Sequence, residues 1–156
     1  MMFSLRSLRT ATAAMALVSL AACSKKSDAT PTPDPNPMGM SWTVDGSNVT
    51  ASSAVSQASS GNLVTLAGAT GSTGGVFLDV PKTVGSYTIT STSDASASYV
   101  VTPASGGSQF YDGTTGTIVV SAVSATNITG TFTFTGTGSS AASTKTITNG
   151  KFNVKL

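Results

Sequence analysis

The chain has 156 residues, only 9 % of them charged, with no histidine. Eight lysines and arginines against six aspartates give a formal charge of +2 without a basic stripe, which excludes binding of nucleic acid by phosphate neutralisation. Without histidine the chain lacks the usual neutral-pH acid–base and metal ligand, so the expectation is a non-enzymatic protein with no cofactor and no metal.

Residues 1–22 divide into three parts. "MMFSLRSLRT" carries Arg6 and Arg9 and no acid, "ATAAMALVSL" is apolar, and small residues follow. This is the pattern of a secretory signal peptide. The apolar run is about ten residues, whereas a spanning helix needs about twenty, so no retained transmembrane anchor is expected. Leu20-Ala21-Ala22-Cys23 resembles the lipobox of bacterial lipoprotein signal peptides residue for residue. The resemblance implies cleavage between Ala22 and Cys23, diacylglycerol on the Cys23 sulfur and acylation of the new amino group. Each buried CH₂ contributes about 0.8 kcal/mol, so two or three acyl chains hold a protein to a membrane where one does not. Cys23 is the only cysteine, so it has no disulfide partner within the chain, and no histidine is present to activate it for catalysis.

Cleavage also removes Arg6 and Arg9, leaving six lysines against six aspartates and a net side-chain charge of zero. Ser24 follows the cysteine where an aspartate would signal retention in the inner membrane. By resemblance to known sorting rules the expected location is the outer membrane, on either its periplasmic face or the cell surface. Residues 23–39 then form a linker with prolines at 31, 33, 35 and 37. Alternating proline fixes φ and removes donors, so polyproline II is the expected state, at about 3.1 Å per residue. It reads as a stalk, with a proline-rich peptide ligand as the alternative.

Residues 40–156 read as an all-β domain of about nine or ten short strands, an antiparallel β-sandwich or a closed β-barrel. Period-two apolar sets recur in chain order: Trp42 and Val44; Val64 and Leu66; Val76, Leu78 and Val80; Tyr87 and Ile89; Tyr99 and Val101; Ile118 and Val120; Ile128, Phe132 and Phe134; Phe152, Val154 and Leu156. Turn signals separate them, among them Asp45-Gly46, Gly106-Gly107 and Asp112-Gly113. In "ITGTFTFTG" the spacing puts Ile128, Gly130, Phe132 and Phe134 on the core face and Thr129, Thr131, Thr133 and Thr135 in solvent. The last strand alternates Phe152, Val154 and Leu156 with Lys151, Asn153 and Lys155, and its lysines suit an edge strand. Asn149-Gly150 fits either a two-residue turn or a bulge within a longer strand. Asp79, in "VFLDV", shares the solvated face with Phe77.

The order "SWTVDGSNVTASSA", "GNLVTLAGA", "VGSYTIT", "SASYV", "GTIVVSAV", "ITGTFTFTG" and "TKTITNGKFNV" resembles a family of small Bacteroidota-type lipoproteins of unknown function. The resemblance covers nearly the whole domain and implies an envelope-anchored all-β fold. It brings no catalytic residues.

The acids are dispersed and none has calcium-loop spacing. A sugar site needs exposed aromatics beside amide or carboxylate groups, and Phe110-Tyr111-Asp112 near a turn is the best candidate, with Trp42 as another. The expected partners are the membrane, through the lipid anchor, and a glycan or envelope protein. The expected function is an envelope binding module; the alternative is a structural, adhesion or assembly accessory. The Thr-x-Thr ladder at 129–135 is accounted for by β-propensity.

Overall fold

The structure, a computed structural model, describes residues 36–139 and 143–156. The signal segment, Ala22, Cys23 and the linker up to residue 35 lie outside the described residues.

The β-branched and aromatic alternation forms strands throughout. In chain order they are β1 (Gly39–Val44), β2 (Ser47–Thr50), β3 (Ser53–Ala58), β4 (Leu63–Ala69), β5 (Gly74–Pro81), β6 (Gly85–Ile89), β7 (Ser96–Val101), β8 (Gln109–Val123), β9 (Asn127–Gly138) and β10 (Thr144–Lys155). The described strands make one antiparallel sheet in the order β2-β1-β10-β9-β8-β7-β5-β4-β3, with β6 on β8 beside β7. The all-β expectation holds, and the architecture lies between its two versions: a curled sheet, half barrel and half sandwich.

The curl follows from connectivity. β2 and β3 stand at opposite ends of the strand order, yet only Ala51 and Ser52 separate them in the chain. The sheet must therefore bend round until its ends meet. At the junction the Ala51 N–H donates to the Met40 carbonyl at 2.9 Å, and the Ser52 N–H donates to the Ala69 carbonyl at 2.8 Å. β8 takes two successive partners along one edge: Ser98–Val101 of β7 pair with Gln109–Asp112, and Gly85–Ile89 of β6 pair with Gly116–Val120.

The core is built from the expected faces. Trp42, Leu66, Val76, Leu78, Val80, Ile118, Ile128, Phe132, Phe134, Phe152 and Val154 are buried. Ile147, Ala95 and Ala97 join them. β7 departs from expectation: Val100 is buried, while Tyr99 and Val101 are half-buried. Leu156 lies beyond the last strand and is exposed. The outer face of β9 is threonine as expected, and the same row continues as Thr117 on β8 and Thr88 on β6.

Three readings of the sequence are corrected. β10 is an interior strand between β1 and β9; Lys151 and Lys155 point to solvent within the sheet, while Asn153 between them is buried. Asp112-Gly113 is not a turn but part of β8, which continues through a register shift between Gly113 and Thr115. The strands are also longer than expected, with β8 at 15 residues and β9 and β10 at 12 each. The open question at Asn149-Gly150 is decided for the bulge. Asn149 has φ of 52°, and the β10–β9 register shifts between Ile147 and Gly150. By contrast Asp45 (φ 48°) and Gly46 (φ 81°) do form a two-residue hairpin turn, both left-handed as a type I′ turn requires.

Each core phenylalanine on β9 and β10 faces a glycine across the ladder. Phe152 is opposite Gly130 and Phe132 opposite Gly150 on β9–β10, and Phe134 is opposite Gly116 on β8–β9. A Cβ on Gly150 would stand 2.6 Å from the Phe132 ring. The rings thus lie where the neighbouring strand presents no side chain, which lets three of them fill one narrow interior. Asp79, on the solvated face as expected, ties three strands together. Its carboxylate accepts from the Thr65 hydroxyl at 2.5 Å and the Ser96 hydroxyl at 2.9 Å.

Candidate functional site

Strand alternation divides the candidate triplet at 110–112. Tyr111 points inward and is 5 % exposed, whereas Phe110 is 56 % exposed and Asp112 shares its outward face. Trp42 is 2 % exposed within the core, which leaves no ring face for a sugar to stack on. Gly68 on β4 makes room for it, since a Cβ there would meet the Trp42 ring at 3.2 Å. The indole Nε1 has no hydrogen-bond partner among the described residues.

Around Tyr111 the fold gathers residues from four strands and one turn. Tyr99 on β7 is directly opposite, the two ring centroids 6.2 Å apart. The Tyr111 hydroxyl donates to Gln109 Oε1 at 3.0 Å. Lys145, the second residue of β10 and opposite Gly136, donates to the Asp45 carboxylate from the β1–β2 turn. A Cβ on Gly136 would stand 2.8 Å from the Tyr111 carbonyl, so glycine is what lets β8 and β9 close up here. Beside this cluster Gln109, Phe110, Tyr111, Gly138, Ser139 and Ser143 line an open depression of about 250 Å³. Phenol, carboxamide, hydroxyl and an exposed phenyl ring are groups that hydrogen-bond and stack, which is the chemistry of recognition. Among the described residues no three acidic, histidine or cysteine side chains come together to hold a metal ion.

The electrostatics tie the cluster together. Burial raises the Tyr99 pKa above the ordinary tyrosine value; the Lys145 charge lowers it in part, and Asp45 and Tyr111 raise it further. The Lys145 pKa is also raised, chiefly by its hydrogen bond to Asp45. Both folded-state values lie above the unfolded ones. Each group therefore contributes stability that is complete below its unfolded pKa and lost as pH rises through the folded value. The thermal midpoint is expected to fall as pH rises above about 10, with a shallower fall in Tyr99→Phe. Identical pH profiles for the two proteins would show that Tyr99 is not held in its neutral form by the fold.

Tyr99, Lys145, Asp45 and Gln109 were not among the sequence candidates. Tyr99 reads as a core residue but is only half-buried against the core, and Asp45 reads as a turn former and is one. Nothing local signals that they meet.

Neither the curated proteins nor the solved structures contain a match to this chain. The profile of one protein family, described as a domain of unknown function (DUF6252), matches residues 37–154. That span takes in β1 to β9 and all but the last residue of β10, and on it the chain belongs to the DUF6252 family.

Proposed function

We propose that this protein is an outer-membrane lipoprotein, acylated on Cys23, whose β-domain is an envelope binding module that takes its ligand at the tyrosine end. The observation that carries the reading is the opposition of two ends. The described chain starts at Asn36, where the Asn36 amide donates to the Phe152 carbonyl at 2.9 Å and the Asn153 amide donates to the Asn36 carbonyl at 2.8 Å. β1 then runs to Val44, and Asp45 beyond it joins the tyrosine cluster. A tether from Cys23 to Asn36 leaves the tyrosine end and Phe110 free to meet a ligand. The lipobox, the proline stalk and Ser24 support the anchor and the outer membrane.

Two measurements test this. Cys23→Ser is expected to accumulate as an unprocessed precursor without acyl label; normal maturation and membrane retention would overturn the anchor. Envelope polysaccharide is expected to bind the wild-type protein, with affinity falling about tenfold in Phe110→Ala through loss of stacking. Phe110 is exposed, so the fold should survive the change. Unchanged binding would remove the site. The alternative role, as a structural or adhesion accessory, is favoured by Val55 and Phe77, 58 % and 41 % exposed on the outer face of β3 and β5. A membrane pull-down whose protein partner is lost in Phe77→Ser would favour it.

A further inference from the structure

We infer that the ligand is a neutral, chain-like polysaccharide laid across β5, β7 and β8 on the outer face of the sheet, with Phe77 and Phe110 as two stacking points; this rests on the binding-module reading above. Phe77 and Phe110 are the only exposed aromatic residues among the described ones, at 41 % and 56 %. Strand register puts both on one face. Phe77 is opposite Ser98, Ser98 is opposite Asp112, and Val100 is opposite Phe110. These side chains alternate with Val76, Tyr99 and Tyr111, which point inward. Neighbouring strands stand about 4.8 Å apart and same-face residues of one strand about 7 Å, which sets the two phenylalanines about 12 Å apart. One sugar ring cannot stack on both at that distance, whereas separate rings of one chain can.

The ground around the two rings is low. Ala67 on β4 and Ser98 on β7 flank Phe77, and Gly75 is its nearest same-face neighbour on β5. Val100, 9 % exposed, gives an apolar floor beside Phe110. Rings that stand above small residues offer separate stacking points and not the contiguous apolar core that a protein interface buries. Polar groups lie between them. Asp112 is exposed and two residues from Phe110 on the same face, and neither its carboxylate nor the Ser98 hydroxyl opposite has a hydrogen-bond partner among the described residues. A carboxylate there accepts from the hydroxyls of a sugar whose ring stacks on the neighbouring phenyl. Asp79, on the same face, is already engaged by the Thr65 and Ser96 hydroxyls.

Charge selects the class of polymer. β3, β4, β5, β7 and β8 carry no lysine or arginine, and the ionisable groups on their outer face are the carboxylates Asp79 and Asp112. An acidic polysaccharide meets like charge here and finds no cation to pair with, whereas a neutral one loses nothing.

The test titrates the immobilised full chain with three neutral polysaccharides, hydroxyethylcellulose, mannan and dextran, and with alginate as the acidic comparison. Binding is expected with at least one neutral polymer and not with alginate. Phe77→Ala and Phe110→Ala are each expected to weaken it about tenfold. Val119→Ala, at an exposed apolar position elsewhere on the outer face of β8, is expected to leave it unchanged. A six-unit oligosaccharide of the polymer that binds should bind about tenfold more tightly than its two-unit fragment, and Phe77→Ala should abolish that difference. Unchanged thermal unfolding of the variants shows that the fold is intact. Binding that is weakened in Phe110→Ala but kept in Phe77→Ala overturns the two-point platform and leaves the Phe110 site standing. Binding of alginate alone overturns the neutral ligand and leaves the binding module standing. No binding of any of the four polymers overturns both this inference and the glycan-binding reading.

Discussion

Phe132→Ala is expected to lower the unfolding free energy by about 3–5 kcal/mol. The ring is 1 % exposed and lies between Phe134 and Phe152, each centroid 6.4 Å away. It also covers Gly150, so the position opposite cannot fill the space that truncation leaves. β9 is hydrogen-bonded on both sides, to β8 and β10, and cannot collapse inward without breaking a ladder. Most of the cavity therefore persists, which places the cost in the upper part of the range for aromatic truncation. Urea denaturation of the β-domain measures it. A loss below about 1 kcal/mol would mean that the ring is not part of the core.

Gly130→Ala adds a single methyl group, yet it is expected to cost about 2–3 kcal/mol or more. Its Cβ would stand 2.0 Å from the Val119 carbonyl oxygen and 2.4 Å from Phe152 Cζ. The ring can shift only against its neighbours, and the carbonyl only by displacing β8. The matching control is Thr131→Ala on the exposed side of the same strand, expected to lie within about 0.5 kcal/mol of wild type. A double-mutant cycle separates the two clashes. Phe152→Leu should recover part of the Gly130→Ala loss if the ring is the obstacle, and none if the carbonyl alone is. If Gly130→Ala proved as harmless as Thr131→Ala, the close approach of β8 and β9 would not exist.

These two residues show what was legible. That Phe132 and Gly130 share the core face of "ITGTFTFTG" follows from the two-residue strand period, which is a local property. The same reasoning identifies the buried sides of β1, β4, β5 and β10. What glycine does opposite phenylalanine is not local. Gly130 meets Phe152 and Gly150 meets Phe132 only because β9 and β10 pair in one register, and that register is set by the bulge at Asn149.

Turn chemistry was ambiguous for the same reason. Asp45-Gly46 and Asp112-Gly113 are the same dipeptide. One turns a hairpin, and the other sits inside a fifteen-residue strand, because β7 and β9 flank β8 and take up its hydrogen bonds. The lysines of β10 pointed to an edge for a related reason. Side-chain alternation reports which face meets water, while edge or interior depends on which strands lie alongside. For the candidate site, sequence proximity suggested that Phe110, Tyr111 and Asp112 act together, and alternation set Tyr111 on the other face.

By itself the sequence determined the strand class of the domain and the sides of its strands that form the core, and it holds the Leu20–Cys23 motif and the proline stretch on which the proposed anchor rests. All of these are written in residue type and short-range period. The tertiary structure alone decided the neighbours: the closure at Ala51-Ser52, the interior position of β10, and the meeting of Tyr99, Tyr111, Lys145 and Asp45. Those residues come from positions up to 100 apart along the chain. The physical reason is that strand pairing joins backbone groups every residue carries, so partners are selected by the packing of the whole sheet and not by any one stretch of it.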